Sequence, residues 1–299
     1  MIIIEVDIFS GRPNPRWILD RDAADEILRE VAENPSMVSP SSAVPDHLGY
    51  RAILIRSTEE GFAENYGLPD EFALAAATLP RDVAAQSLAR RLIESAPLPA
   101  SEEDELGLDH ETRDFILQEL GAEGQTDSTN AAQDRPESEP DENLSPMCTV
   151  ELPAFAPSFW NGSGIIGTNN CYNFATNRRT NSFAQPGRAA YGSNPRWPAD
   201  MTVAAITGRA LADGARRAGN CFAADLAPRM LMALVIAPQQ DYHWYRKTSD
   251  GLWAHKPGRT ASRNRDNSNA LIRDPYWCNR GPYTSWGGYF YSSRTMRVV

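Results

Sequence analysis

Lysine is almost missing from this chain. Lys247 and Lys256 are the only two in 299 residues, so positive charge is carried by arginine. No run of about 18 apolar residues occurs, so no transmembrane helix is expected. Cysteine is scarce: Cys148, Cys171, Cys221 and Cys278, with no CxxC pair. That spacing argues against a structural zinc site, and four thiols in so long a chain are no disulfide framework. No metal and no cofactor is expected. Histidine is limited to His47, His110, His243 and His255. The first residues, Met1-Ile2-Ile3-Ile4-Glu5-Val6-Asp7, lack the basic n-region of a signal peptide. The expected localisation is therefore cytoplasmic unless a specialised export system acts.

The net charge of −10 hides three unlike regions. Residues 1–97 carry −7, residues 98–147 carry −13, and residues 148–299 carry +10. The expected organisation is an N-terminal α+β module (1–97), an acidic linker (98–147) and a basic C-terminal domain (148–299). Residues 121–146 are polar, acidic and proline-bearing, with almost nothing to bury, and read as a disordered tether. The opposite charges of linker and C-terminal domain also favour an intramolecular contact, an acidic strap masking a basic surface.

Periodicity places the elements. Residues 1–10 read as a strand, followed by the turn Ser10-Gly11-Arg12-Pro13-Asn14-Pro15. An amphipathic helix is expected over 20–31 and another over 79–95, with a strand over 48–55 between them. A short helix is expected over 110–120. In the C-terminal part, a helix is expected over 203–218, with Thr202 as N-cap and Gly219 as its stop. The apolar run 230–237 reads as a buried strand. Residues 241–247 and 252–255 read as a hairpin around Ser249-Asp250-Gly251, and 270–273 as a short strand. The remaining tail, rich in Tyr, Trp and Gly, carries no assigned strand.

One constellation stands out. Asn169-Asn170-Cys171-Tyr172-Asn173 places a cysteine where asparagines can cap a helix. A thiol at a helix N-terminus favours its thiolate, the nucleophilic form, and Asn170 and the Cys171 N–H are placed to position an oxyanion. His243 follows 72 residues later on a strand, and His255 lies 12 residues further on, across the hairpin. Cys171 as nucleophile, His243 as base and His255 as orienting partner form a triad-like set. Asp266 and Asp274 are alternative third members, although both lie in turn-forming sequence. Cys221, after Gly219-Asn220, is a rival nucleophile.

The order of a cysteine opening a helix, a histidine on a strand and a polar third residue a dozen positions later resembles the NlpC/P60 and CHAP amidases and endopeptidases. The resemblance covers about residues 165–258. It implies a papain-like α+β fold, metal-free hydrolysis of an amide bond, and peptide or peptidoglycan-like substrates; a papain-like transferase or deamidase would use the same three residues. The run Asn170-Cys171-Tyr172-Asn173 departs from the Asp-Cys-Ser-Gly usual in NlpC/P60 proteins.

A second reading is a non-enzymatic binding module. Arg259, Arg263, Arg265, Arg273 and Arg280 alternate with Tyr276, Trp277, Tyr283 and Trp286. Such a surface suits RNA or single-stranded DNA, where arginine meets phosphate and aromatic rings stack on bases. Tyr and Trp in a glycine-rich tail more often close a core or line a glycan or peptide cleft, so nucleic acid is the weaker expectation. A metal site built on His243, His255 and a cysteine is short of ligands.

Overall fold

A computed structural model describes residues 1–75, 82–99, 106–122, 150–218 and 230–299. The chain divides into two units. The first comprises Met1–Phe9, Pro13–Pro45 and Gly49–Thr126; the second comprises Ser10–Arg12, Asp46–Leu48 and Asp127–Val299. Both mix helices with antiparallel sheet, so the fold class is α+β.

In the first unit, β1 (Ile2–Asp7) alternates cleanly: Ile2, Ile4 and Val6 enter the core. It pairs on one side with β2 (Arg16–Leu19) and on the other with β3 (Ala52–Ser57), with β4 (Glu71–Leu74) at the far edge. Helix α1 (Arg21–Glu33) starts where the Asp20 carboxylate accepts the Ala23 N–H at 3.0 Å, and buries Ala24, Leu28 and Val31. A leucine buried like Leu28 contributes roughly 2 kcal/mol. Helix α2 (Val83–Glu94) is capped by Asp82 and buries Leu88, Leu92 and Ile93. Helix α3 (His110–Ala122) adds Ile116 and Leu120 to the same core. The first unit therefore extends past residue 97, because two apolar residues at helical spacing suffice to recruit a helix from an otherwise acidic stretch. The acidic run 101–105 and residues 123–149, including Cys148, lie outside the described residues.

In the second unit, Pro157–Trp160 (α4), Cys171–Ala175 (α5), Arg188–Tyr191 (α6) and Val203–Ala212 (α7) precede most of the sheet. The sheet runs β5 (Arg216–Arg217), β9 (Ser285–Ser292), β6 (Met230–Ala237), β7 (Asp241–Lys247), β8 (Trp253–His255), in that spatial order. β6 is buried on both faces. Met232, Leu234 and Ile236 meet α5 and α7, whereas Ala233, Val235 and Ala237 meet Tyr245, Ile272 and Tyr283.

Three sequence expectations change here. Helix α7 starts at its Thr202 cap but ends at Ala212, where Asp213 and the left-handed Gly214 stop it; Gly219 lies outside the described residues. Residues 270–273 form only an isolated bridge, Leu271 to Arg265. The tail supplies a central strand, β9, which the pair Gly287-Gly288 conceals as a turn. A Cβ at Gly287 would lie 2.6 Å from the Leu234 side chain, at the register shift between Leu234 and Val235. The glycine marks a bulge and a close approach rather than a loop. Among the described residues no helix is long and apolar enough to cross a membrane.

Candidate functional site

Helix α5 forms as its asparagines lead one to expect. The Asn170 side chain accepts the N–H groups of Tyr172 and Asn173, and Asn173 Oδ1 accepts the Asn170 N–H, a reciprocal capping box. Cys171 is the first helical residue. Its thiol is fully buried and donates to the Tyr242 carbonyl at 3.9 Å. It shares a core with Tyr242 and Trp244, and the Tyr172 and Trp244 rings lie 5.8 Å apart. Burial, reinforced by the Asp241 carboxylate, pushes the thiol well above its ordinary pKa; a Trp244 backbone hydrogen bond and the Lys256 ammonium pull less strongly the other way. A five-residue helix and its cap do not overcome that desolvation.

His243 lies between Tyr242 and Trp244 on β7, so the pleat sends its ring to the opposite face. There it meets Tyr245 edge-on at 4.8 Å and Tyr283 at 5.7 Å. The expected proximity of the two histidines is present: His243 Nε2 and His255 Nδ1 are 2.9 Å apart. The other nitrogen of His255, Nε2, lies 3.0 Å from the Arg265 carbonyl. A carbonyl only accepts, so His255 Nε2 carries the proton and His255 Nδ1 accepts from His243 Nε2. The His255 ring also stacks on Tyr245, centroids 4.9 Å apart. Burial lowers the His255 pKa to about 3, keeping it neutral.

The structure brings His243 and His255 together, and the Cys171 thiol is held at β7 by the backbone of Tyr242 and Trp244, the residues on either side of His243. The alternative third members also have other duties. Asp266 accepts the backbone N–H groups of Ser268, Ala270 and Asn279, organising a loop. Asp274 accepts the Tyr276 N–H and the Tyr289 hydroxyl. Cys221 lies outside the described residues. Cys278 is half-buried, its thiol pushed up to about 12 by burial. Among the described residues no cluster of three or more metal-ligating side chains occurs.

Two features escaped the sequence reading. One is Asp241, fully buried at the start of β7, which accepts the backbone N–H groups of Ser10, Gly11 and Arg12 and the Tyr283 hydroxyl. Its signal is an acid opening an otherwise aromatic strand. The other is the order of the rings: Tyr276, Trp277 and Trp286, expected at a binding surface, are joined by Tyr289 and Trp253 into one row. Trp277 is 53% exposed and meets Tyr276 at 4.6 Å; Tyr276 meets Trp286 at 5.2 Å. Trp286 meets Tyr289 at 4.9 Å, and Tyr289 meets Trp253 at 5.6 Å. Arg280 lies over Trp286 and Lys247 over Trp253. The arginines beside the row are partly engaged: Arg263 pairs with Asp46 and Arg265 donates to the Asn269 carbonyl.

No family model and no solved structure matches the chain. Over 144 residues, 48% of its length, it is 43% identical to insoluble matrix shell protein 1 of Ruditapes philippinarum, and the match takes in 93% of that protein.

Proposed function

The chain belongs to the family of insoluble matrix shell protein 1, and we propose that it is a non-catalytic matrix component whose second unit holds a polysaccharide on its aromatic row. The observation that carries the reading is the continuous row Trp277–Tyr276–Trp286–Tyr289–Trp253, exposed at Trp277 and half-buried at Trp286 and Tyr289. Flat apolar ring faces stack on the C–H faces of pyranose rings, and exposed aromatic patches on a folded surface mark contact sites. Asp274 at Tyr289 and Arg280 at Trp286 add hydrogen-bonding groups beside the rings.

The same surroundings favour a glycan over a nucleic acid. Phosphate binding needs guanidinium groups that face outward. Here Arg263 pairs with Asp46, Arg265 bonds within its own loop, Arg280 covers a ring, and Asp274 places an acid on the row. Cysteine-dependent amide hydrolysis, and with it a peptidoglycan substrate, draws no support from a thiol that burial holds well above its ordinary pKa. For localisation, the family name favours an insoluble matrix over the cytoplasm.

The test is co-sedimentation of the full chain with insoluble chitin and cellulose, with single-stranded RNA as the contrasting ligand. Retention on a polysaccharide that withstands 1 M salt, about one hundred times the ionic strength that gives a 30 Å screening length, and that is lost in Trp277→Ala supports the reading. Failure to bind either polysaccharide, or RNA binding that collapses with salt, overturns it.

A further inference from the structure

Ser10, Gly11 and Arg12 belong to the second unit, although their sequence neighbours on both sides belong to the first. The backbone polar groups of these three residues can be followed one by one, and the partners found lie more than 150 residues away. The Ser10, Gly11 and Arg12 N–H groups all donate to the Asp241 carboxylate, at 2.5, 3.1 and 2.9 Å. The Ser10 carbonyl accepts the Gly258 N–H at 3.2 Å. The Gly11 carbonyl accepts three donors: Asn170 Nδ2 at 2.8 Å, Gln185 Nε2 at 2.9 Å and the Tyr242 hydroxyl at 3.1 Å. Asp241, Asn170, Gln185 and Tyr242 are all at least 98% buried.

Side-chain selection is equally marked. A Cβ at Gly11 would lie 2.5 Å from the Tyr242 carbonyl oxygen and 2.5 Å from its ring, so only glycine fits. The Arg12 guanidinium donates to the Gln240 carbonyl at 3.1 Å and lies over the Trp197 ring at 5.6 Å. The Ser10 hydroxyl makes no hydrogen bond, so this position is read through its backbone.

Burying a carboxylate and a three-donor carbonyl cradle is costly unless every group is matched. Here the match is to a short bent backbone, whose three successive N–H groups converge on one carboxylate, rather than to a neighbouring strand. We propose that the second unit is a peptide-recognition module, that its slot reads a glycine followed by arginine at a bend in the chain, and that Ser10-Gly11-Arg12 is its resident ligand. Backbone hydrogen bonds supply affinity, the glycine requirement and the Arg12 contacts supply specificity. A peptide of the same pattern from another chain takes the slot when the resident segment leaves. This inference is independent of the polysaccharide reading and uses different residues.

The test uses the full chain and a fluorescent octapeptide with the sequence of Ile8–Pro15. In Gly11→Val the resident segment is excluded by Tyr242, so the slot opens. The variant should bind the octapeptide at least about tenfold more tightly than wild type. It should reject the peptide that carries valine in place of glycine, and lose about tenfold or more when Asp241→Asn is added. A Gly11→Val chain that melts cooperatively yet does not take up the peptide overturns the proposal. If that variant does not fold, hydrogen exchange of wild type decides. Octapeptide at about 1 mM, a concentration that detects even weak binding, should accelerate exchange at Ser10, Gly11 and Arg12, and the valine peptide should not. Unchanged exchange at those three amides overturns the proposal.

Discussion

Strand β7 borders two interiors that treat their reactive side chains in opposite ways. On one face, Cys171 is a small apolar filler among Tyr242, Trp244 and Met232, its thiol raised in pKa and touching a carbonyl. On the other face, His243 and His255 are hydrogen-bonded to each other and closed off by the Arg265 carbonyl, with Tyr245 stacked on His255. The groups that would make a nucleophile and its base are both present and both adjacent to the same strand, but both are fully buried and the thiol is raised in pKa. Sequence order and spacing locate a residue along a strand. Whether its side chain faces a given helix depends on the pleat, and one residue of parity reverses the answer.

The largest expected effect tests what holds the start of β7. Asp241→Ala leaves three backbone N–H groups and the Tyr283 hydroxyl without their acceptor and should cost roughly 3–5 kcal/mol in urea unfolding. A loss below roughly 1 kcal/mol would break this assignment.

Next comes the imidazole face. His255→Ala removes a buried ring and both its hydrogen bonds, and should cost roughly 2–4 kcal/mol. The wild type carries a pH signature here. The unfolded chain takes up a proton at His255 below about pH 6.5, whereas the folded chain does not until about 3. Stability therefore falls as pH drops through that window, by a few kcal/mol in all. Asp241, whose pKa burial raises, acts in the opposite sense just above its ordinary range. In His255→Gln the slope of stability against pH between 6 and 4 should flatten; an unchanged slope would show that His255 is not the source.

The thiol face should respond more weakly. Cys171→Ala removes one buried sulfur and should cost about 1 kcal/mol. In the native protein Cys171 should resist alkylation at neutral pH, and His243→Ala should leave its rate unchanged. Fast labelling that depends on His243 would erase the contrast between the faces and support the hydrolase arrangement. The smallest effect on stability belongs to the surface row: Trp277→Ala should stay within about 0.5 kcal/mol of wild type while losing polysaccharide retention.

Local signals were legible where the physics is local. Asp20 before Ala24 and Leu28, Thr202 before α7, and Asn170 before Cys171 each place an N-cap ahead of a buried stripe, and each starts a helix. The alternation and apolar run of residues 230–247 define a buried hairpin of strands. Less legible were α3, whose acidic surroundings mask Ile116 and Leu120, and β9, whose Gly287-Gly288 pair reads as a turn until Leu234 is seen beside it.

The sequence by itself determined the α+β class, the caps, the strands β6 and β7, and the pairing of two histidines across a hairpin, because caps, periodicity and hairpin geometry act over a few residues. Only the tertiary structure decided which core each side chain enters. It buried Cys171 in a core with Tyr242 and Trp244, matched Asp241 to Ser10-Gly11-Arg12, and aligned five aromatic rings into one row. Those outcomes depend on strand parity, desolvation and contacts between residues far apart in the chain, and none of these is set by spacing along it.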